Sequence, residues 1–165
     1  MKLKKTILST ALLIGLSHTL YAEQVSYPND YRQWTHVKTM TLAKGHALAN
    51  PFEGIHHIYA NNKAIVGLTI GNYEDGAVLV FDLLNYIEKN ETGIEGNRKL
   101  VGVMQKNSQL FKNTGGWGFE GFAGDSTNKR LTSDGGKSCF DCHASQKNKG
   151  LCLVNTETEV YRAIF

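Results

Sequence analysis

The sequence is poor in proline and cysteine, and its one long hydrophobic run lies near its beginning. Of its 165 residues, 2 are proline, 3 are cysteine and 17 are glycine. This balance favours tight turns between strands over disordered linkers. There is no internal repeat and no low-complexity segment, and after residue 22 no apolar stretch is long enough to span a bilayer. These absences argue against a repeat protein and against an integral membrane domain in the mature chain.

The first 22 residues have the features of a secretory signal peptide. A lysine-rich start precedes the apolar stretch Ile7–Leu16, and Leu20-Tyr21-Ala22 supplies a small residue before a plausible cleavage point. The segment is too short and wrongly flanked for a spanning helix, so an uncleaved membrane anchor is the less favoured alternative. The sequence therefore predicts that residues 1–22 are removed. Residues 23–165 are then one soluble, periplasmic domain.

Cleavage of the predicted signal peptide also removes the apparent excess of positive charge. The chain has 18 Lys+Arg against 15 Asp+Glu, and three of the lysines precede residue 22, which leaves 15 of each in the mature chain. No basic patch with interleaved aromatic residues remains, so we expect no nucleic-acid partner and no membrane partner after cleavage. The mature length suits a single domain with a modest core.

Two of the three cysteines lie close together in the stretch GGKSCFDCHASQ, residues 135–146. Cys139 and Cys142 are followed directly by His143. In an oxidising compartment, a Cys139–Cys142 disulfide is one interpretation, but a disulfide does not need the adjacent histidine. A zinc site formed by Cys139, Cys142, Cys152 and a histidine is a second interpretation. It is less favourable because neighbouring ligands at 142 and 143 point in different directions.

The third interpretation of this stretch is covalent haem attachment. C-x-x-C-H is typical of haem c, in which the two thiols add to the two vinyl groups and the histidine ligates the iron. Cys139 and Cys142 lie about one helical turn apart and can face both vinyl groups together. We prefer one covalent haem c per chain, and the disulfide and the zinc site stay open as alternatives.

The remaining apolar runs alternate with turn signals at short spacing, which predicts strands of an antiparallel sheet. The predicted strands are GIHHIYA (54–60), AIVGLTI (64–70), GAVLVFDLL (76–84), RKLVGVMQ (98–105) and WGFEGF (117–122). A helix is predicted from 29 to 34, capped by Asn29 or Asp30, and a short one around the haem motif, with Gly150 as its stop. The predicted class is α+β: a predominantly antiparallel β-sheet with short flanking helices and a haem attached near the C-terminus.

The run 76–84 is apolar on both sides of the predicted strand. With a period of two, Ala77, Leu79, Phe81 and Leu83 share one face, and Val78, Val80, Asp82 and Leu84 share the other. A buried central strand would show this pattern. Helices and haem can cover one face in a chain of this size, so the second face suggests a partner subunit and hence a homodimer.

Five segments together resemble the cytochrome P-460 superfamily, in order and over essentially the whole mature chain. They are NPFEGIHHIYANNKA (50–64), NYEDGAVLVFDLLN (72–85), EGNRKLVGVMQKNSQLF (95–111), TGGWGFEGFAGDS (114–126) and CFDCHASQ (139–146). The resemblance implies a small homodimer of mainly antiparallel sheet with one c-type haem per chain. It also implies His143 as the proximal iron ligand, opposite an open or water-filled distal position.

Within that superfamily, the chain resembles the cytochrome c′-beta branch. The hydroxylamine-oxidising branch carries a lysine linked to the haem, whereas the c′-beta branch has a hydrophobic distal pocket capped by two phenylalanines. The resemblance places these caps at Phe52 and Phe81, and none of residues 77, 79, 81 and 83 is a lysine. An apolar pocket suits nitric oxide and carbon monoxide, whereas bound oxygen needs a hydrogen-bond donor.

We therefore expect a haem protein that binds diatomic gases, with nitric oxide capture or detoxification as its role and an unidentified redox partner. A hydroxylamine oxidoreductase is one alternative. An electron-transfer cytochrome is another, and its sixth iron ligand would come from His36, His46, His56, His57, Met40 or Met104. Glu120 and Arg98 are either polar pocket groups or solvated strand residues. Cys152 is either a small buried side chain or part of an intersubunit disulfide.

Overall fold

The apolar runs form one antiparallel sheet whose five strands are ordered as they follow along the chain. The computed structural model describes residues 24–145, so the predicted signal peptide, Gly150 and Cys152 lie outside the described residues. The strands are β1 (Thr35–Leu42), β2 (Gly54–Ala60), β3 (Val78–Lys89), β4 (Thr92–Lys106) and β5 (Trp117–Ala123). The helices are α1 (Ala49–Phe52), α2 (Asn62–Ile70) and α3 (Lys137–His143), with 3₁₀ turns at Tyr31–Gln33 and Lys112–Thr114. The predicted α+β class with a predominantly antiparallel sheet is confirmed.

Four of the predicted strands are found, and one prediction was wrong. Residues 64–70 belong to the helix α2 instead of a strand. The side chain of Asn61 caps this helix by accepting a hydrogen bond from the backbone N–H of Ala64 at 2.9 Å. Gly71 ends it in the left-handed conformation, with φ of 76°. A cap at each end and tertiary packing together outweigh the strand propensity of its β-branched residues.

The first strand has no counterpart among the predicted ones. In β1 only Val37 and Leu42 are buried, and the other side chains are exposed. Because it is an edge strand, paired only with β2, it lacks the apolar alternation that identifies a half-buried strand. The helix predicted from 29 to 34 is only the turn Tyr31–Gln33, and the side chain of Asp30 makes no capping hydrogen bond.

Alternation along β3 gives the sheet two apolar faces. The Phe81 face carries Leu79, Phe81 and Leu83, and the Asp82 face carries Val78, Val80 and Asp82. On the Phe81 face, an apolar cluster around Leu79, Met104 and Phe119 packs against Ile65 and Leu68 of α2 and Cys139 and Phe140 of α3. The helix that carries the C-x-x-C-H motif therefore lies on the Phe81 face.

The N-terminal segment of the same chain covers the Asp82 face. Val25 and Tyr31 are buried there against Val80, Val101 and Phe122. The segment before β1 already buries residues of this face, so its apolar side chains do not require a partner subunit. A homodimer stays a prediction that rests on the family resemblance.

β3 and β4 extend past their neighbours as a two-stranded hairpin. The pairing of β2 with β3 stops at Leu84, and that of β4 with β5 stops at Leu100. Asn90 and Glu91 make the connecting turn with φ of 52° and 60°, as a two-residue hairpin turn with both central φ angles positive requires. In the part of the chain from residue 24 to 145, no helix is long and apolar enough to cross a bilayer.

Candidate functional site

A turn in which Asp134 accepts two backbone hydrogen bonds leads into the helix α3, which carries the C-x-x-C-H motif. One carboxylate oxygen of Asp134 accepts a hydrogen bond from the backbone N–H of Gly136 at 3.0 Å, and the other accepts from that of Ser138 at 2.8 Å. Hydrogen bonds stabilise the charged carboxylate and so lower the pKa of Asp134, and those from Ser138 have the largest effect. Asp134 thus ties the turn before the motif helix to the first turn of that helix.

A glycine lets α3 lie directly against β5. Gly136 has φ of 82°, and a Cβ added there would come within 2.5 Å of the carbonyl oxygen of Phe119. The ring of Phe119 then contacts two rings of α3, with centroid distances of 5.1 Å to His143 and 6.3 Å to Phe140. This close approach sets His143 on the Phe81 face, beside the apolar cluster.

Both thiols of the motif are free in the structure. Cys139 is half-buried against the apolar cluster, and burial raises the pKa of its thiol, whereas Cys142 is exposed. The structure therefore contains no Cys139–Cys142 disulfide. Within residues 24–145, no three His, Cys, Asp or Glu side chains are placed to hold a metal ion. The zinc interpretation also needs Cys152, which lies outside the described residues.

The structure brings together the two phenylalanines that the resemblance placed at the distal pocket. The rings of Phe52 and Phe81 meet edge to face, with centroids 5.8 Å apart and an interplanar angle of 84°. Lys99 holds the segment around Phe52, because its Nζ donates hydrogen bonds to the carbonyl oxygens of Pro51 at 3.0 Å and Glu53 at 2.6 Å. An aromatic pair 29 positions apart in sequence is thus assembled on the Phe81 face.

Beside Phe81, two neighbouring strands carry glycine, so no side chain projects from the sheet at these two positions and its surface there is low. Phe81 pairs with Gly102 of β4, and Gly102 pairs with Gly121 of β5. Leu131 lies over Gly121, since a Cβ added to that glycine would come within 3.3 Å of it, and Leu131 is 50% exposed. A low, apolar surface with an exposed leucine at its edge suits a flat apolar group such as a porphyrin.

A histidine completes the aromatic cluster. The ring of His56 lies 4.6 Å from that of Phe81, at an interplanar angle of 35°. Its Nδ1 is buried and has no hydrogen-bond partner within residues 24–145. From the sequence, either His56 or His57 was expected to face the pocket, and both were considered as possible sixth ligands. The available signal was strand alternation, which sends His56 and His57 to opposite faces.

Two residues proposed as polar pocket groups lie on the opposite face instead. Arg98 is paired with the buried Asp82 at 2.6 Å. Glu120 accepts a hydrogen bond from Arg130 at 2.9 Å and one from the hydroxyl of Thr132 at 2.6 Å. Neither residue supplies polar chemistry to the Phe81 face, and neither is a freely solvated strand residue, because both are ion-paired and largely buried.

The other candidates for a sixth iron ligand are dispersed over the sheet. His57 faces away from Phe81, and its Nε2 lies 2.8 Å from a carboxylate oxygen of Glu95. His36 hydrogen-bonds to a threonine hydroxyl at 2.8 Å, and His46 accepts from a backbone N–H at 3.0 Å. Met104 is buried inside the apolar cluster. Met40, opposite His56 on the edge strand, is exposed.

A comparison with protein families accounts for this arrangement. Residues 28–153 match the family model described as Cytochrome P460. The chain belongs to the cytochrome P460 family. No curated protein matches it. Family membership makes the protein a haem-binding cytochrome.

The described residues of this cytochrome fit a haem on the Phe81 face. Free thiols at Cys139 and Cys142 and the imidazole of His143 are presented from one short helix that packs on that face. The apolar surface beside Phe81 is low and partly exposed, as a bound porphyrin requires. A haem held there would supply an iron with one position for a small ligand.

Proposed function

We propose that this cytochrome P460 family member is an exported haem c protein that binds nitric oxide and carbon monoxide. Cys139 and Cys142 would hold one haem covalently, and His143 would be the only protein ligand of its iron. The observation that carries the proposal is the edge-to-face contact of Phe52 and Phe81 on the face that α3 occupies. Two aromatic rings in contact provide an apolar cap for a ligand pocket.

The composition of the Phe81 face supports the gas-binding branch over the hydroxylamine-oxidising one. Along β3 and the residue before it, this face presents Ala77, Leu79, Phe81 and Leu83, and none of them has an amine that could join a haem. An apolar wall disfavours charged ligands, whereas nitric oxide and carbon monoxide need no hydrogen-bond donor. We therefore place the protein with the cytochrome c′-beta branch, and nitric oxide capture or detoxification is its proposed role.

Residues 1–22 support the proposal of export to the periplasm, because their sequence is that of a cleavable signal peptide. The homodimer is proposed on the family resemblance alone, since the described chain covers the Asp82 face itself. Hydroxylamine oxidation is the second candidate function, because the same family contains that activity. Electron transfer is the third and would need a sixth ligand on the iron.

The first prediction concerns attachment. Under denaturing conditions, the mature chain should have the mass of residues 23–165 plus one haem, because two thioether bonds survive unfolding. Replacing Cys139 and Cys142 together by alanine should release the haem into acidified organic solvent. The matched control is Cys152→Ala, which should keep the haem. Haem that is extractable from the wild-type chain would contradict covalent attachment.

The second prediction tests the function itself. The ferrous protein should be five-coordinate and high-spin, and it should change its absorption spectrum on adding either carbon monoxide or nitric oxide. We expect this because the other candidate ligands among residues 24–145 are dispersed over the sheet, and the ring of His56 lies beside that of Phe81. Met104→Leu serves as a control and should leave the spectrum unchanged. A sharp low-spin spectrum that ignores carbon monoxide would favour the electron carrier, and a strongly displaced ferrous band would favour the cross-linked, hydroxylamine-oxidising type.

A further inference from the structure

One buried polar side chain on the Phe81 face has no role in the fold that the described contacts explain. His56 on β2 is 5% exposed, and its ring lies 4.6 Å from that of Phe81. Phe81 in turn contacts Phe52. The imidazole is thus part of the same aromatic cluster as the two proposed cap residues.

The hydrogen bonding of His56 differs from that of the next residue. His57, on the opposite face, has Nδ1 2.7 Å from the hydroxyl of Thr39, and its Nε2, although it makes no hydrogen bond of good geometry, lies 2.8 Å from a carboxylate oxygen of Glu95. The Nδ1 of His56 is buried with no partner among residues 24–145. Buried polar atoms in native proteins are almost always hydrogen-bonded, and an exception calls for a missing partner such as a water or a ligand.

The ring of His56 is neutral at physiological pH. Burial lowers its pKa to about 4, and coulombic interactions with His57 and Lys38 add to that effect. A neutral imidazole carries one N–H donor and one bare nitrogen acceptor. It can therefore meet a polar ligand without placing a charge in the apolar cluster.

We propose that His56 is the polar group of the ligand pocket and that its Nδ1 hydrogen-bonds the outer atom of a small ligand beside Phe52 and Phe81. This inference rests on the proposed function, because it takes the pocket at these phenylalanines to be the one over the iron. It adds a specificity to that function. Ligands whose outer atom gains negative charge, such as molecular oxygen, are held more strongly than a pocket of phenylalanines alone would hold them.

The test compares three variants by two measurements on the ferrous protein: the C–O stretching frequency with carbon monoxide and the dissociation rate of oxygen. His56→Phe keeps a flat ring against Phe81 but removes both nitrogens. It should raise the C–O frequency and speed oxygen dissociation roughly tenfold, as the loss of one hydrogen bond to a charged atom would. His56→Gln restores a polar group and should give values between those of His56→Phe and wild type. His57→Phe, on the other face, should match wild type.

The outcomes separate this inference from the proposed function. If the wild-type ferrous protein binds no carbon monoxide, the proposed function fails. If it binds carbon monoxide but His56→Phe and wild type share the same C–O frequency and oxygen dissociation rate, only the inference is overturned. A six-coordinate wild-type spectrum that becomes five-coordinate in His56→Phe would also overturn it, because His56 would then be an iron ligand.

Should His56→Phe fail to fold, the wild-type protein still decides the matter. A hydrogen bond from an exchangeable N–H to bound oxygen shifts the oxygen vibrations when the solvent is changed from H₂O to D₂O. A resonance Raman shift in wild type that persists in His57→Phe and is altered in His56→Gln supports the inference. No shift in wild type overturns it.

Discussion

Replacing Asp82 by asparagine should lower the free energy of unfolding by about 3 kcal/mol, the lower end of what removal of one partner from a buried ion pair costs. The carboxylate of Asp82 is fully buried, and its two oxygens lie 2.6 Å from Nε of Arg98 and 2.9 Å from Nε of Arg32. The hydrogen bonds to Asp82 raise the pKa of Arg98 above its ordinary value. Without the carboxylate, the guanidinium of Arg98 stays largely buried with only an exposed partner, Asp125.

Glu95→Gln is the matched control for Asp82→Asn. Glu95 also pairs with Arg32, at 3.0 Å, but its side chain is 40% exposed, so its loss should cost less than about 1 kcal/mol. Urea unfolding followed by far-ultraviolet circular dichroism measures both variants. The prediction is contradicted if Asp82→Asn loses no more stability than Glu95→Gln. The visible spectrum of folded Asp82→Asn should stay that of wild type, because Asp82 faces away from the proposed haem surface.

A double replacement distinguishes an unpaired buried charge from a general packing defect. Asp82→Leu combined with Arg98→Met removes both charges and keeps apolar bulk at each position. This double variant should be more stable than Asp82→Asn, since replacing a whole buried pair by apolar groups is often neutral. If the double variant is the less stable of the two, the pair stabilises the fold through its specific hydrogen bonds.

The ion pairs of Asp82 could not be predicted from the sequence. Asp82 appeared there as one charge in an apolar run, and its partners lie 50 positions away for Arg32 and 16 for Arg98. Arg98 reaches Asp82 through the register of β3 with β4, and Arg32 reaches it through the N-terminal segment that crosses the Asp82 face. Register and the path of a covering segment are tertiary properties that a local pattern does not determine.

Features that depend on a few consecutive residues could be predicted. The C-x-x-C-H motif occupies five positions and lies on a short helix as expected. The central strands follow from their apolar runs, whereas the edge strand β1 has too few buried residues to be detected. In α2, a capping side chain and a glycine at the end of the helix decide between helix and strand. The pairing of Phe52 with Phe81 was expected from the family resemblance, not from a local pattern.

Burial of His56 shows the same limit at the candidate site. Alternation along β2 predicts that His56 and His57 lie on opposite faces, and the structure agrees. Which of the two is buried depends on how completely the neighbouring elements cover each face. The sequence alone did not indicate that His56 is the buried one of the two, or that its Nδ1 has no hydrogen-bond partner among residues 24–145.

Phe81→Ala should speed the association of carbon monoxide and nitric oxide by up to about tenfold and admit water to the ferric iron. If these rings cap the proposed pocket, an entering ligand would displace the Phe81 ring from its edge-to-face contact with Phe52. Such contacts contribute about 0.5–1.5 kcal/mol beyond the buried area, and about 1.4 kcal/mol in a barrier is a tenfold change in rate. Flash photolysis of the carbon monoxide complex and stopped-flow mixing with nitric oxide measure the two rates.

Two controls assign that effect to the cap. Val80→Ala alters the neighbouring residue, which is fully buried on the Asp82 face among Tyr31 and Phe122, so it should lower stability and leave both association rates unchanged. Phe52→Ala should speed association as Phe81→Ala does, and the double variant should be faster by less than the product of the two effects, since both remove the same contact. Equal rates in wild type, Phe81→Ala and Val80→Ala would mean that Phe81 is ordinary core packing. The ligand pocket would then lie elsewhere on the sheet.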